Sequence, residues 1–395
     1  MYEISNKIRG LRPSAIREIL KNMNDPEMIS FAGGNPAVEC FPIDAIRHYS
    51  DQLLAEQPVR MLLYSTTEGI PALRQSALAF ANRYGQISRP EDDIAILTGS
   101  QQAMDFIARL LCNEGDTVVA EDPSFVGALN SFRASGAKTV GVPMEEDGVD
   151  LAKLEEAFAA KPRPKLFYVI PNFQNPTGLV TSAAKRRAIY ELAAKYDIPV
   201  LEDNPYGELR FEGEYIPPIK SYDEKGLVLY CGSFSKILAP GMRLAYVIAN
   251  RALIEKIVTI KQCSDTHTNT WSQMVCDAWL RGSDAEAHIA AIRKVYQRKC
   301  NLMLREMDRQ FSKKIRYTRP SGGMFLWATL PDGVDMLDFV KRAQQRKVAV
   351  VPGNAFLCDE DASSQCFRLN FSTPSDEDIV RGIEILGALT REICD

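Results

Sequence analysis

The segment Ser233-Phe-Ser-Lys236-Ile-Leu-Ala-Pro-Gly-Met-Arg243 groups a primary amine, two hydroxyls and a guanidinium. It follows an apolar run, Val228-Leu-Tyr-Cys231, that reads as a buried strand. An amine at the mouth of a strand can condense with an aldehyde cofactor. Ser233, Ser235 and Arg243 are placed to hold a phosphate on that cofactor.

Other candidates stand where apolar runs end, the usual place for ligands in open parallel sheets. Asp203 closes Pro199-Val-Leu-Glu-Asp203. A carboxylate buried there is costly unless it meets a cation, such as a protonated pyridine nitrogen; alone it is more often a loop cap. Glu202 should face the other side of the strand. Thr98-Gly99-Ser100-Gln101 turns a strand into a helix whose free N–H groups favour an anion, although many helices simply begin with Gly-Ser. In Pro171-Asn-Phe-Gln-Asn175-Pro176 the amide of Asn175 can donate to a ring oxygen, or merely start a turn. Phe125, after Asp122-Pro-Ser, can stack on a ring or fill the core. Arg368, in the apolar run Cys366-Phe-Arg368-Leu, requires an anion: a substrate carboxylate, or a protein one.

Taken in order, these segments resemble class I aminotransferases, the fold-type-I enzymes that use pyridoxal phosphate. The resemblance covers nearly the whole chain and implies roles residue by residue. Lys236, Asp203 and Tyr206 become the catalytic set. Ser100, Gln101, Phe125, Asn175, Ser233, Ser235 and Arg243 join them around the cofactor, Asn175 next to a cis bond with Pro176 and Asp122-Pro123 a second cis candidate. Arg368 and Asn175 bind substrate, and Gly34, in Phe31-Ala-Gly-Gly34-Asn-Pro36, closes over it. Tyr64, in Leu63-Tyr64-Ser, reaches the neighbouring subunit's phosphate, which implies a homodimer with composite active sites. The stretch Ser14-Ala-Ile-Arg17 is most similar to the 2-aminoadipate, kynurenine and aromatic subgroup, and Arg17 can meet a distal carboxylate or sit in solvent. Ala245 stands where the family commonly has glycine.

The implied reaction is ping-pong transfer from an L-amino acid, over a broad range, to a 2-oxo acid such as 2-oxoglutarate. A C–S β-lyase shares every cofactor contact. A ligand-sensing domain of a transcription regulator is a third reading, disfavoured because the pattern begins by about residue 10 and leaves little room for a DNA-binding unit.

The elements that must position these residues are legible too. At 395 residues two domains are expected. A formal charge of −4 without charge blocks argues against nucleic acid or a membrane surface as partner. No stretch reaches the roughly 18 apolar residues of a spanning helix, the N-terminus lacks signal-peptide features, and a cytoplasmic protein is expected. Nine scattered cysteines and three isolated histidines give no metal-ligand spacing. Seven near-continuous apolar runs between residues 92 and 249 predict a mostly parallel seven-stranded sheet, covered on both faces in an α/β/α domain. Helices are predicted around Ala103–Leu111, over Ser182–Lys195, over Ile16–Leu20, and as one long stretch from Trp271 to Met307. The expected units are an N-terminal segment, 1–43, a large domain, 44–295, and a small α+β domain, 296–395, which the N-terminal segment joins.

Overall fold

The computed structural model describes residues 2–9, 11, 27–282 and 285–395. A two-residue strand, β1 (Ile29–Ser30), precedes the main sheet. That sheet contains β2 (Asp92–Leu97), β3 (Thr117–Asp122), β4 (Lys138–Glu145), β5 (Gly148–Val149), β6 (Leu166–Val169), β7 (Val200–Asn204), β8 (Val228–Ser233) and β9 (Ala245–Asn250). Its spatial order is β2-β9-β8-β7-β6-β3-β4-β5. The central strands β8, β7, β6, β3 and β4 run parallel, β9 is antiparallel to both neighbours, and β5 turns back against β4. All seven expected strands are present. The eighth, β5, is too short to leave an apolar run in the sequence.

Both faces of the sheet are covered, as continuous hydrophobicity requires. Leu201 and Tyr168 pack into one core, while Val200, Phe167 and Val169 pack into the other. Alternation along β7 therefore sets Asp203 on the first face and Glu202 on the second. There Glu202 accepts the N–H groups of Ile219 and Lys220 at 2.9 and 2.8 Å.

The helix Ser100–Leu111 leads out of β2 with Ala103, Phe106 and Ile107 buried. The helix Ala183–Tyr196 starts where Ser182 accepts the N–H of Lys185, and it stops at Asp197 in the left-handed region. The expected single helix from Trp271 to Met307 is instead two, Thr270–Gly282 and Ala285–Gln310. The intervening Gly282-Ser-Asp is a stop signal followed by start residues, and it outweighs the apolar periodicity running through it. The expected helix at Ile16–Leu20, with Arg17, lies outside the described residues.

Beyond these helices come β10 (Arg316–Tyr317), β11 (Phe325–Thr329), β12 (Val348–Ala349), β13 (Val351–Pro352) and β14 (Cys366–Asn370). An antiparallel sheet of order β10-β11-β14-β13 puts Arg368 on an inner strand, opposite Trp327 and Val351. The N-terminal strand β1 pairs with β12, and Phe31 continues the contact by accepting from Asn370 at 2.8 Å. Chain that begins near residue 29 is thereby laid beside chain that ends near residue 370. Among the described residues no helix is long and apolar enough to cross a membrane.

One buried ion pair anchors the edge of the large sheet. Lys220, fully buried, donates to Asp223 at 2.9 Å and lies 3.0 Å from Asp92, at the start of β2. Asp223 also accepts the N–H groups of Leu227 and Val228 as the chain enters β8. Removing the cation leaves two buried carboxylates uncompensated. Lys220→Met should therefore lower stability by about 3–5 kcal/mol, read as a lower denaturant midpoint at unchanged slope. A midpoint within error of wild type would remove this pair from the account.

Candidate active site

The C-terminal ends of β2, β3, β6, β7 and β8 converge on a cavity of about 270 Å³. Ser100, Gln101, Phe125, Asn175, Asp203, Tyr206, Ser233, Ser235, Lys236, Arg243 and Arg368 all line it, with Ala32 and Gly34 from the N-terminal segment. Residues spread over the sequence from Gly34 to Arg368 are thus brought together. Tyr64 is not among them: it is 89% exposed, with its ring edge-on to His267.

One wall is a cup for an anion. Gly99 takes φ +82°, and a Cβ there would lie 2.1 Å from an Nη of Arg243, so only glycine lets that guanidinium close over the turn. Ser100 then starts a helix with no side-chain cap, leaving first-turn N–H groups without intrahelical partners. The Ser233 hydroxyl accepts the N–H of Ser235 at 3.2 Å. Gln101 contributes less than expected with its side chain, which donates to Gly127 O and Ser131 Oγ, both at 2.7 Å.

The centre holds separated charges. Lys236 Nζ donates to the carbonyl of Gly34 at 2.7 Å. Burial, and then the positive charges of Arg368 and Arg243, lower its pKa to about 8. Asp203 is buried; one carboxyl oxygen accepts from Tyr168 at 2.8 Å and the other has no partner among the described residues. Burial pushes its pKa up to about 7, and the Tyr168 bond works against that rise. Arg368 donates to Asn175 Oδ1 at 2.8 Å and to Ala32 O at 2.7 Å, and its guanidinium lies over Phe325, 4.1 Å from the ring centroid. Burial lowers its pKa to about 10. Among the described residues its hydrogen-bond partners are neutral, and its Nε has none. Tyr206 sits within reach of Asn175 Nδ2 at 3.5 Å, its hydroxyl held protonated chiefly by burial.

Two supporting groups escaped the sequence reading. Tyr168 follows from parity: on β6 it stands opposite Leu201, so its hydroxyl reaches the face of β7 that carries Asp203. A tyrosine in an otherwise apolar buried strand needs a hydroxyl partner, and that was the available signal. Glu121, fully buried at the end of β3, accepts the N–H of Ile170 at 2.9 Å and reaches Gln174 at 3.3 Å. Gln174 donates in turn to Pro123 O at 2.7 Å, clasping the Phe125 loop to the Asn175 loop. Both loops carry the expected cis prolines, at Asp122-Pro123 and Asn175-Pro176; Lys161-Pro162 is a third, not anticipated. Burial raises the Glu121 carboxyl to about 8.

Residues 26–386 match the family model for aminotransferase class I and II. The chain belongs to that family. This aminotransferase is 38% identical to aromatic-amino-acid aminotransferase 1 of Thermococcus litoralis, over 98% of its own length and 94% of the relative's. It is also 38% identical to the 2-aminoadipate transaminase of Thermus thermophilus, over 95% and 94%. Among solved structures, the Pyrococcus horikoshii kynurenine aminotransferase superposes with a TM-score of 0.94 at 36% identity, over 99% and 98% of the two chains. The chain is therefore an amino-acid aminotransferase whose cofactor is pyridoxal phosphate. The cavity fits that group: an unpartnered buried carboxylate oxygen, a glycine turn that admits Arg243, and a lysine with a lowered pKa answer to its ring nitrogen, phosphate and aldehyde.

The lysine state has a direct consequence. The neutral amine is the nucleophile, and its fraction rises with pH through the pKa. Uptake of pyridoxal phosphate by the cofactor-free protein should accelerate with pH and level off just above about 8. A stopped-flow rate that climbs steadily past pH 10 would show a lysine that burial and the neighbouring arginines do not affect.

Proposed function

We propose that this aminotransferase moves the amino group of 2-aminoadipate, aromatic and branched-chain L-amino acids to a 2-oxo acid such as 2-oxoglutarate, in two ping-pong half-reactions. The observation that carries the reading is the arrangement of half-buried Lys236 with buried Asp203 and Arg368 in one cleft, where each hydrogen-bonds a neutral group. The names of the relatives support the 2-aminoadipate and aromatic part of that range.

When bound, pyridoxal phosphate supplies an electron sink that acidifies the α-proton of an amino acid. The chain does the rest. The anion cup of Ser100, Gln101, Ser233, Ser235 and Arg243 holds the phosphate. Asp203, steadied by Tyr168, offers its free oxygen to the ring nitrogen, and Phe125 covers the ring. Asn175 and Tyr206 hydrogen-bond the ring oxygen. Arg368 receives the substrate carboxylate by exchanging its carbonyl and amide partners for a charged one, the stronger contact. Lys236 would take and return the α-proton, a task suited to an amine with a pKa near working pH. Gly34, whose carbonyl holds Lys236, belongs to a loop tied to Ser372 and Thr373 through Asn35 O at 2.9 and 2.8 Å.

The proposal includes a cytoplasmic homodimer and the division 1–43, 44–295 and 296–395. Tyr64 supports the dimer: with Leu62 and Leu63 it forms an exposed run, 89%, 79% and 60% accessible, of the kind that a second subunit covers. Arg17 is proposed to meet a distal substrate carboxylate.

The test is to mix cofactor-loaded enzyme with single amino acids and no 2-oxo acid. One 2-oxo acid should appear per site, with a change in cofactor absorbance, and Lys236→Ala should release none. Pyruvate and ammonia accumulating from a cysteine conjugate would move the assignment to a β-lyase. Arg17→Ala should lower kcat/KM for 2-aminoadipate about tenfold or more while sparing leucine, the loss expected for one charge-assisted contact. Equal losses on both substrates would remove Arg17 from specificity.

A further inference from the structure

A second cavity, of about 310 Å³, shares no lining residue with the first. It lies beyond the end of β7, on the other face of that strand from Asp203. Asn204 projects into it, donating to Tyr230 at 2.7 Å and accepting from Asn172 at 2.8 Å. Three guanidinium groups line it, Arg83, Arg210 and Arg293, against a single carboxylate, Glu208. That carboxylate is already committed: Arg83 pairs with it, and Arg293 lies 3.6 Å away while donating to the Glu208 carbonyl at 2.6 Å. Arg83 has a second acid, Glu286, outside the cavity lining.

Arg210 is the odd group. Among the described residues its one hydrogen bond is a long one, 3.4 Å to Asn172 Oδ1, and that oxygen is taken more closely by Arg186 at 2.7 Å. Its guanidinium lies 4.8 Å from the centroid of the Phe173 ring. No carboxylate pairs with it among the described residues, and burial together with the positive charge of Arg293 holds its pKa below the ordinary value. The ring gives a half-buried cation some support, but an anion would relieve its desolvation and the like charge beside it far more. Beside it Tyr84 and Tyr215 stand with ring centroids 5.2 Å apart, half-exposed at the cavity wall and suited to an apolar body.

We propose that this cavity is a binding site for a small organic anion, with its carboxylate or phosphate on Arg210 and Arg293 and its apolar, preferably aromatic, body against Tyr84 and Tyr215. The position is consequential. Arg210 forms a β-bridge with Gly322, just before β11, and Arg293 lies on the helix Ala285–Gln310 that leads towards the small sheet. The site thus joins the large sheet to the segment carrying Phe325.

Calorimetric titration of the cofactor-loaded enzyme with phenyl phosphate, benzoate and inorganic phosphate tests this. At least one aryl anion should bind saturably at one site per chain, and Arg210→Gln should weaken it by about tenfold or more with unchanged cofactor absorbance and turnover. Tyr215→Ala, at the exposed rim, should weaken the aryl ligands and spare inorganic phosphate. Preference for phenyl phosphate marks a phosphate ligand, and preference for benzoate a carboxylate. Absence of saturable binding below about 10 mM, or affinities unaffected by Arg210→Gln, would overturn the proposal.

Discussion

The active cleft depends on keeping buried charges apart. Asp203, Lys236 and Arg368 share one cavity, yet hydrogen bonds tie the carboxylate to a tyrosine, the amine to a carbonyl, and the guanidinium to a carbonyl and an amide. Neutral partners satisfy part of each group's hydrogen-bonding capacity and leave the charge itself unmatched. In the proposed function, the matching charges would come with the cofactor and the substrate. Pairing any two internally would steady the empty protein and weaken that match.

Holding unmatched charges requires a scaffold that cannot relax around them. Asp203 ends an inner strand with neighbours on both sides, and Tyr168 reaches it from the next strand. Glu121 and Gln174 lock the two loops that present Phe125 and Asn175. Arg368 lies on an inner strand of the small sheet, and the N-terminal segment closes on it through Ala32. Similar logic governs the far face of the large sheet, where Glu202 receives two backbone N–H groups and Lys220 meets two aspartates. Those groups are satisfied and serve stability. In the cleft, by contrast, Asp203 keeps one carboxyl oxygen and Arg368 its Nε without a partner among the described residues.

Much of the fold was readable because local pattern encodes it. Continuous apolar runs marked seven strands of the main sheet, and the residues closing those runs were the right candidates for the cavity. Where the reading failed, two signals competed within one stretch. Apolar spacing carried the helical pattern across Gly282-Ser-Asp, although those residue types end one helix and begin another. The strand β5 is two residues long and below any periodicity.

The sequence by itself determined the chemistry on offer: a lysine after a buried strand among hydroxyls and a guanidinium, an aspartate near the end of another, and an arginine in an apolar run. These are local facts, since strand ends and helix starts are written in neighbouring residues. Tertiary structure alone decided which groups stand behind them. Tyr168 meets Asp203 because β6 lies beside β7, and Glu121 meets Gln174 because β3 lies on the other side of β6. Packing of the helix Ala285–Gln310 against the turn Gly207–Leu209 brings Arg293 and Arg210 to one cavity, and Tyr64 is left facing outward. Period and composition specify an element and its faces; they do not specify its neighbours, and a charge's partners are a matter of neighbours.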